Sequence, residues 1–186
     1  MSEQVEGRDT RSRIQAVALE LFTEQGYDKT SLREIAERLG VTKAALYYHF
    51  KSKEEIVESF SGDQAARIEK LMSWAQGQPH TLEARKEFLR LYAESMLETQ
   101  HHRIMRFYER NQATMKDRRG AKDFRERMTG MIDFLVDEDA SPAQRLRASM
   151  ALFTLHACWF VLDPDKISDD ERMKTALEMA YELIEG

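Results

Sequence analysis

Apolar residues recur along this chain at the three-and-four spacing of helix faces, and the period-two alternation of strands is nowhere sustained. Ile14, Val17, Ala18, Leu21 and Phe22 line one face of a helix predicted over Arg11–Gln25, and Gly26 follows as a left-handed stop. Thr30 or Ser31 can cap a short second helix whose inner face is Leu32, Ile35, Ala36 and Leu39, with Gly40 closing it. Val41 anchors the turn, and Thr42 can cap a third helix ending near Phe50. A fourth starts near Lys53 and continues toward Trp74, with Ser52 and Glu55 spaced as a capping box. Gly77-Gln78-Pro79 breaks the pattern, and helices follow at roughly 81–100, 103–112, 116–136, 142–162 and 169–185. Ser141-Pro142 and the Ser168/Glu171 pair mark the last two starts. The predicted fold is all-α, about nine helices, with an N-terminal three-helix helix-turn-helix head joined to a larger C-terminal bundle.

Charge changes the picture only when it is resolved along the chain. The net charge is −5, which taken alone opposes a polyanionic partner. Residues 1–53, however, hold nine Lys and Arg against eight Asp and Glu, so the acidity lies in the rest of the chain. A near-neutral head with clustered cations can bind DNA locally. Residues 1–10 are polar and acidic, with no apolar stretch, and read as a flexible arm. The longest apolar run, 150–162, is interrupted by Thr154 and His156 and is too short for the ~30 Å of bilayer hydrocarbon, so no membrane partner is expected. The single cysteine, Cys158, excludes an intramolecular disulfide and fits a cytoplasmic setting.

The tight Gly40-Val41 turn between helices two and three is the spacing that sets a recognition helix into a major groove. Lys43, Ala44, Tyr47 and Tyr48 fall on one face of that helix, while Leu46 and Phe50 turn inward with Val41. Adjacent helical residues point about 100° apart, so two neighbouring tyrosines cannot both be central in one small core. Tyrosine brings a flat apolar body and a hydroxyl for phosphate, alanine allows close approach, and lysine reaches guanine acceptors or phosphate. Arg33, on the exposed side of helix two, can make a bidentate base contact.

The segment Arg11–Val57 resembles the DNA-binding head of the tetracycline-repressor (TetR) family: ALELFTEQGYDKTSLREIAERLGV followed by LYYHFKSKEE keeps the order and spacing of all three helices. The resemblance implies that Thr30 and Ser31 bring the start of helix two to a phosphate and that Arg33 lies closest to a base edge. It places Thr42, Lys43, Ala44 and Tyr48 in the groove, with Tyr47, His49 and Lys53 on the backbone. Ala45 stands where relatives often carry a hydroxyl residue. The implied organisation is an arm over 1–10, a head over 11–53, a connecting helix over 54–76 and a ligand-binding and dimerisation body over 77–186.

Beyond the head the resemblance extends to length and helicity. It implies a homodimer closed by the last two helices, and two apolar stripes suit that role. They are Leu146, Met150, Phe153, Ala157 and Phe160 on one helix, and Met173, Leu177, Ala180 and Ile184 on the other. Two recognition helices would then meet a pseudo-palindromic operator in double-stranded DNA about one turn (~34–36 Å) apart. The resemblance also implies a body pocket for a small-molecule effector. Phe88, Tyr92, Met96, Phe107 and Tyr108 are candidates to line it, as are Phe124, Met128, Met131, Phe134, His156 and Trp159. Such a lining favours a largely hydrophobic ligand, although the same residues also suit plain core packing. In this reading the protein is a repressor, effector binding releases it from the operator, and helix four is the lever.

Competing readings use the same residues. Glu98 and His101 have the Glu-x-x-His spacing of di-metal carboxylate helices, but no second pair accompanies them, and no metal or other cofactor is expected. His101 and His102 suit a helix end or a pocket, His156 and Cys158 a helical core, and the 116–122 segment KDRRGAK a solvated loop. A helical enzyme would need a phosphate loop, a metal-ligand set or a nucleophile with a base, and none is found in the sequence. A DNA-binding dimer answering to a partner protein instead of a small molecule remains as the third reading.

Overall fold

The computed structural model describes residues 2–98, 101–110 and 119–186, and among these it contains helices and no strand. The helices are α1 (Ser2–Glu24), α2 (Leu32–Leu39), α3 (Lys43–His49), α4 (Lys53–Ala75), α5 (Leu82–Glu98), α6 (His101–Arg110), α7 (Arg119–Leu135), α8 (Pro142–Val161) and α9 (Asp169–Glu185). The all-α expectation holds. The expected arm does not: α1 begins at Ser2, because the polar stretch contains helix-forming Glu and Gln, no proline, and acids that suit a helix N-terminus.

Helix ends follow the local chemistry. Ser31 rather than Thr30 caps α2, accepting from the Glu34 N–H while the Glu34 carboxylate accepts from the Ser31 N–H, a complete capping box. Gly40 ends the helix at φ +73°, and the Val41 and Gly40 N–H groups return to the carbonyls of Ala36 and Glu37. Ser141 caps α8 in a second box with Gln144, Pro142 occupying the first turn. The box expected at α4 is altered. Ser52 accepts from the Glu55 N–H, but the Glu55 carboxylate reaches the Lys51 N–H at 2.6 Å.

The chain divides into two compact units, Met1–Gln64 with Arg103–Met115, and Ala65–His102 with Lys116–Gly186. The first, the head, therefore extends past the expected limit at residue 53 and takes in most of α6. Its core packs Ile14, Ala18 and Phe22 of α1 against Ile35, Leu46, Phe50, Ile56 and Phe60, together with Ile104 and Phe107 of α6. Phe107 is 1 % exposed and stacks on Phe22 with centroids 5.4 Å apart. This corrects its assignment to a body pocket. Sequence spacing could not supply the contact, which joins residues 85 positions apart in the chain.

The second unit, the body, is built on Phe88, Leu89, Tyr92 and Met96 of α5 and Met128, Met131 and Phe134 of α7, packed with inward residues of α8 and α9. Helix α8 carries apolar residues on two sides. Ala148, Ala151, Leu152, Leu155 and Trp159 face the core, whereas Leu146, Met150, Phe153 and Phe160 are each 49–62 % exposed. On α9 the core takes Met173 and Ala180, 3 % and 0 % exposed. That corrects their place in an intersubunit stripe: the alanines and Met173 are consumed by packing α9 against α8. No helix among the described residues is long and apolar enough to cross a membrane.

Candidate nucleic-acid interface

Helix α3 is held by its inward side alone. Leu46 and Phe50 are buried in the head core at 0 % and 1 % exposed, and the Thr42 hydroxyl caps the helix by accepting from the Ala45 N–H at 3.1 Å. The opposite side is open: Lys43 and Ala44 are exposed, Tyr47 is 36 % exposed and Tyr48 81 %. An 81 % exposed tyrosine gains nothing from the core, so packing does not account for it. The Lys43 ammonium lies 5.5 Å from the Tyr47 ring centroid, and His49 meets Tyr48 edge-on at 5.2 Å.

Helix α2 packs against α3, and its N-terminus carries the other candidate residues. Ser31 is exposed at the cap, and Glu34 is held below the usual carboxylate range by its hydrogen bonds with Ser31. Thr30, by contrast, is 2 % exposed, and its hydroxyl donates to the Gly26 carbonyl at 2.8 Å while accepting from the Gln25 amide. Its side chain tightens the turn before α2 and is not presented for a phosphate, which corrects that expectation. Arg33 is exposed and engaged with Glu37 at 2.7 Å, a solvated pair that holds it only loosely.

The two lysines after α3 differ. Lys51 is exposed, its ammonium on the Tyr47 carbonyl at 2.6 Å. Lys53 is half-buried, donating to the Tyr27 carbonyl at 2.6 Å with its charge 4.4 Å from the Tyr27 ring centroid. Tyr27 also donates to Glu54 at 2.7 Å, and burial with that bond raises its pKa. Sequence reading missed this Tyr27–Lys53–Glu54 clasp, which pins the start of α4 to the turn after α1. Only the adjacent opposite charges at 53 and 54 hinted at it.

The family model for bacterial regulatory proteins of the tetR family matches residues 14–60. The regulator AcrR of Shigella flexneri, described as an HTH-type transcriptional regulator, is 51 % identical over 51 residues, 27 % of this chain and 24 % of that protein. Over its head, this chain is similar to the bacterial regulatory proteins of the tetR family. The aligned stretch spans about a quarter of that curated relative's length. The fold likeness runs further. A TetR-family regulator, PfmR, from Thermus thermophilus superimposes with a TM-score of 0.69 at 24 % identity, covering 94 % of this chain and 98 % of that one. A SmeT–triclosan complex superimposes with a TM-score of 0.61 at 21 % identity, covering 92 % of this chain and 90 % of that one.

Apart from Tyr108, which belongs to the head unit, the remaining candidate residues fall in the body. Phe88, Tyr92, Met96, Met128, Met131, Phe134 and Trp159 are all buried in its core, with His156 beside Tyr92, whose hydroxyl lies 3.1 Å from the imidazole Nε2. The side chains of Tyr108, Phe124, His101 and residues 116–122 lie outside the described residues. Glu98 is held by Arg67 at 2.5 Å. Among the described residues no group of three or more His, Cys, Asp or Glu is arranged to hold a metal. A cleft of about 140 Å³ lies elsewhere, between the end of α7 and the C-terminus, lined by Arg85, Val136, Gln144, Arg147 and Ile184. None of the candidate pocket residues lines it.

Proposed function

We propose that this chain is a DNA-binding transcriptional regulator of the repressor type, working as a homodimer on a pseudo-palindromic operator and released from it by a small, largely apolar effector. The observation that carries the reading is the outward presentation of Lys43, Ala44, Tyr47 and Tyr48 on a helix anchored only by Leu46 and Phe50. A helix presented this way can enter a major groove without unpacking the head. Ser31, Arg33, Thr42, His49 and Lys51 surround that face. Arg33 would exchange its weak bond with Glu37 for a base or phosphate, and Lys53 would act by holding the clasp and adding positive potential.

The dimer is supported by the outer stripe of α8, Leu146, Met150, Phe153, Ala157 and Phe160, with Leu177 and Ile184 of α9 partly exposed. Val161 and Met179, 77 % and 52 % exposed, extend the apolar surface these helices offer. So much exposed aliphatic and aromatic surface on one helix is unusual for a monomer. The effector is supported by the fold likeness to SmeT, which was solved in complex with triclosan. An effector acts by binding more tightly to the DNA-incompetent arrangement, and operator DNA must then weaken effector binding by the same factor.

The test replaces Lys43 and Tyr48 together by alanine and measures binding to an operator selected from random duplexes. Because both side chains are exposed, the circular dichroism and thermal melting of the protein should not change. Specific binding should fall by about a hundredfold or more, at roughly 1–3 kcal/mol per base-edge contact. Undiminished binding would refute the role of α3.

A further inference from the structure

Among the described residues of the body, Arg172 is the buried cation whose surroundings satisfy it least, with two unanswered nitrogens against one on Arg85. Arg172, in the first turns of α9, is 3 % exposed. Its Nη2 pairs with Asp169, and the guanidinium carbon lies 5.0 Å from the Trp159 ring centroid, but Nε and Nη1 have no hydrogen-bond partner among the described residues. Trp159, itself 5 % exposed, presents an indole Nε1–H that is also unpartnered. The His102 ring stacks on Trp159 at 4.4 Å and 18°, with its Nε2 3.7 Å from the Asp169 carboxylate. One turn earlier on α8 stands His156 with its Tyr92 partner.

Buried donors are almost always answered, and charged ones the more strictly, because desolvation without a partner is costly. Here, among the described residues, three donors from two side chains in cation–ring contact go unanswered, two of them on the one guanidinium whose third nitrogen Asp169 meets. An acceptor that fits must be compact and anionic, and one carboxylate meets both conditions. Apart from His102 and Asp169, the core cluster that contains Trp159 is largely apolar: Met96, Met128, Met131 and Met173 belong to it, and unbranched thioethers repack readily around an inserted group.

We infer that the body binds a small carboxylate-bearing molecule with an apolar remainder, its carboxylate received by Arg172 and the Trp159 indole N–H. This deepens the effector reading above, resting on it only for the consequence at DNA. It also changes the expected ligand chemistry from merely hydrophobic to amphipathic, with an acid end.

The experiment follows thermal melting of the full-length protein with benzoate, octanoate and dodecanoate, each beside its primary amide, and with inorganic phosphate at matched ionic strength. At least one acid should raise the melting temperature, its amide should not, and phosphate should do less than the acid. In a Trp74→Phe background the emission of Trp159 should shift with the same acid. Arg172→Met should weaken acid binding by about a hundredfold and Trp159→Phe by about tenfold, in line with hydrogen bonds to charged groups. Should Arg172→Met fail to fold, Trp159→Phe, which keeps an aromatic ring, carries the test alone. The inference is overturned if no acid shifts the melt, if amide or phosphate matches the acid, or if the variants bind as the parent does. Acid binding that leaves operator affinity unchanged supports the site and removes its effector role. Operator binding with no acid bound removes the site and leaves the DNA reading intact.

Discussion

Thr30 in the head and Arg172 in the body are buried almost equally, at 2 % and 3 % exposed, yet their surroundings treat them in opposite ways. The Thr30 hydroxyl both donates and accepts within a single turn, and nearby Tyr27 and Gln15 are likewise answered by Glu54 and by Ser59 and Asp63. Arg172 keeps two guanidinium nitrogens without partners beside an indole N–H in the same condition. Around these residues the head answers its buried donors, and it leaves Lys43, Tyr47 and Tyr48 of α3 outside. The body holds donors inside. A surface of the first kind suits a large polyanion that meets the protein from without, and an interior of the second kind suits a small molecule that must enter it.

Four measurements bear on that contrast. Phe107→Ala should have the largest effect, about 3–5 kcal/mol in urea denaturation, because it empties the stack with Phe22 in the head core. A loss well under about 1 kcal/mol would return Phe107 to the body and blur the division between units.

The second concerns His156, which burial keeps neutral with its pKa pushed down to about 4. The unfolded chain protonates near pH 6.5, so the unfolded state binds the proton first as pH falls. Stability from this group is complete above about pH 6.5 and declines toward pH 4, by up to about 3 kcal/mol. His156→Gln should lack this part of the pH profile; identical profiles would show that the imbalance of the body interior does not extend to His156.

Third, Phe153→Asp should cost about 2 kcal/mol or more of self-association, seen in sedimentation as a shift from dimer to monomer. An unchanged dimer would mean that the outer face of α8 serves something else. The smallest effect should come from Ser31→Ala, about 1 kcal/mol of stability through loss of the α2 cap, with a modest loss of operator affinity. Full stability in that variant would place the head's tightness elsewhere than in its caps.

The head was legible in the residues because its determinants are local. Ser31 to Glu34, Gly40 to Val41 and Thr42 to Ala45 each act within one turn, and alternating inward and outward faces follow from about 3.6 residues per turn. The inward and outward sides of α3 could therefore be named in advance: Leu46 and Phe50 inside, Tyr47 and Tyr48 outside. The exception within the head was Thr30, which has the chemistry of a cap or a phosphate ligand until Gly26 and Gln25 are seen to occupy its hydroxyl. Body residues were less readable, since aromatics and methionines at helical spacing serve a core, a pocket or an interface equally well. Met173 and Phe153 share one composition class, yet they are 3 % and 55 % exposed.

The sequence by itself determined which segments are helical, where most begin and end, and which side of α3 faces outward, since these rest on contacts a few residues apart. Only the tertiary structure decided that α6 completes the head core through Ile104 and Phe107, that α9 spends Met173 and Ala180 on its own subunit, and that Arg172 is enclosed beside Trp159. Those outcomes depend on which helix faces meet across dozens of residues of chain, and periodicity tells that a face is apolar without telling what covers it.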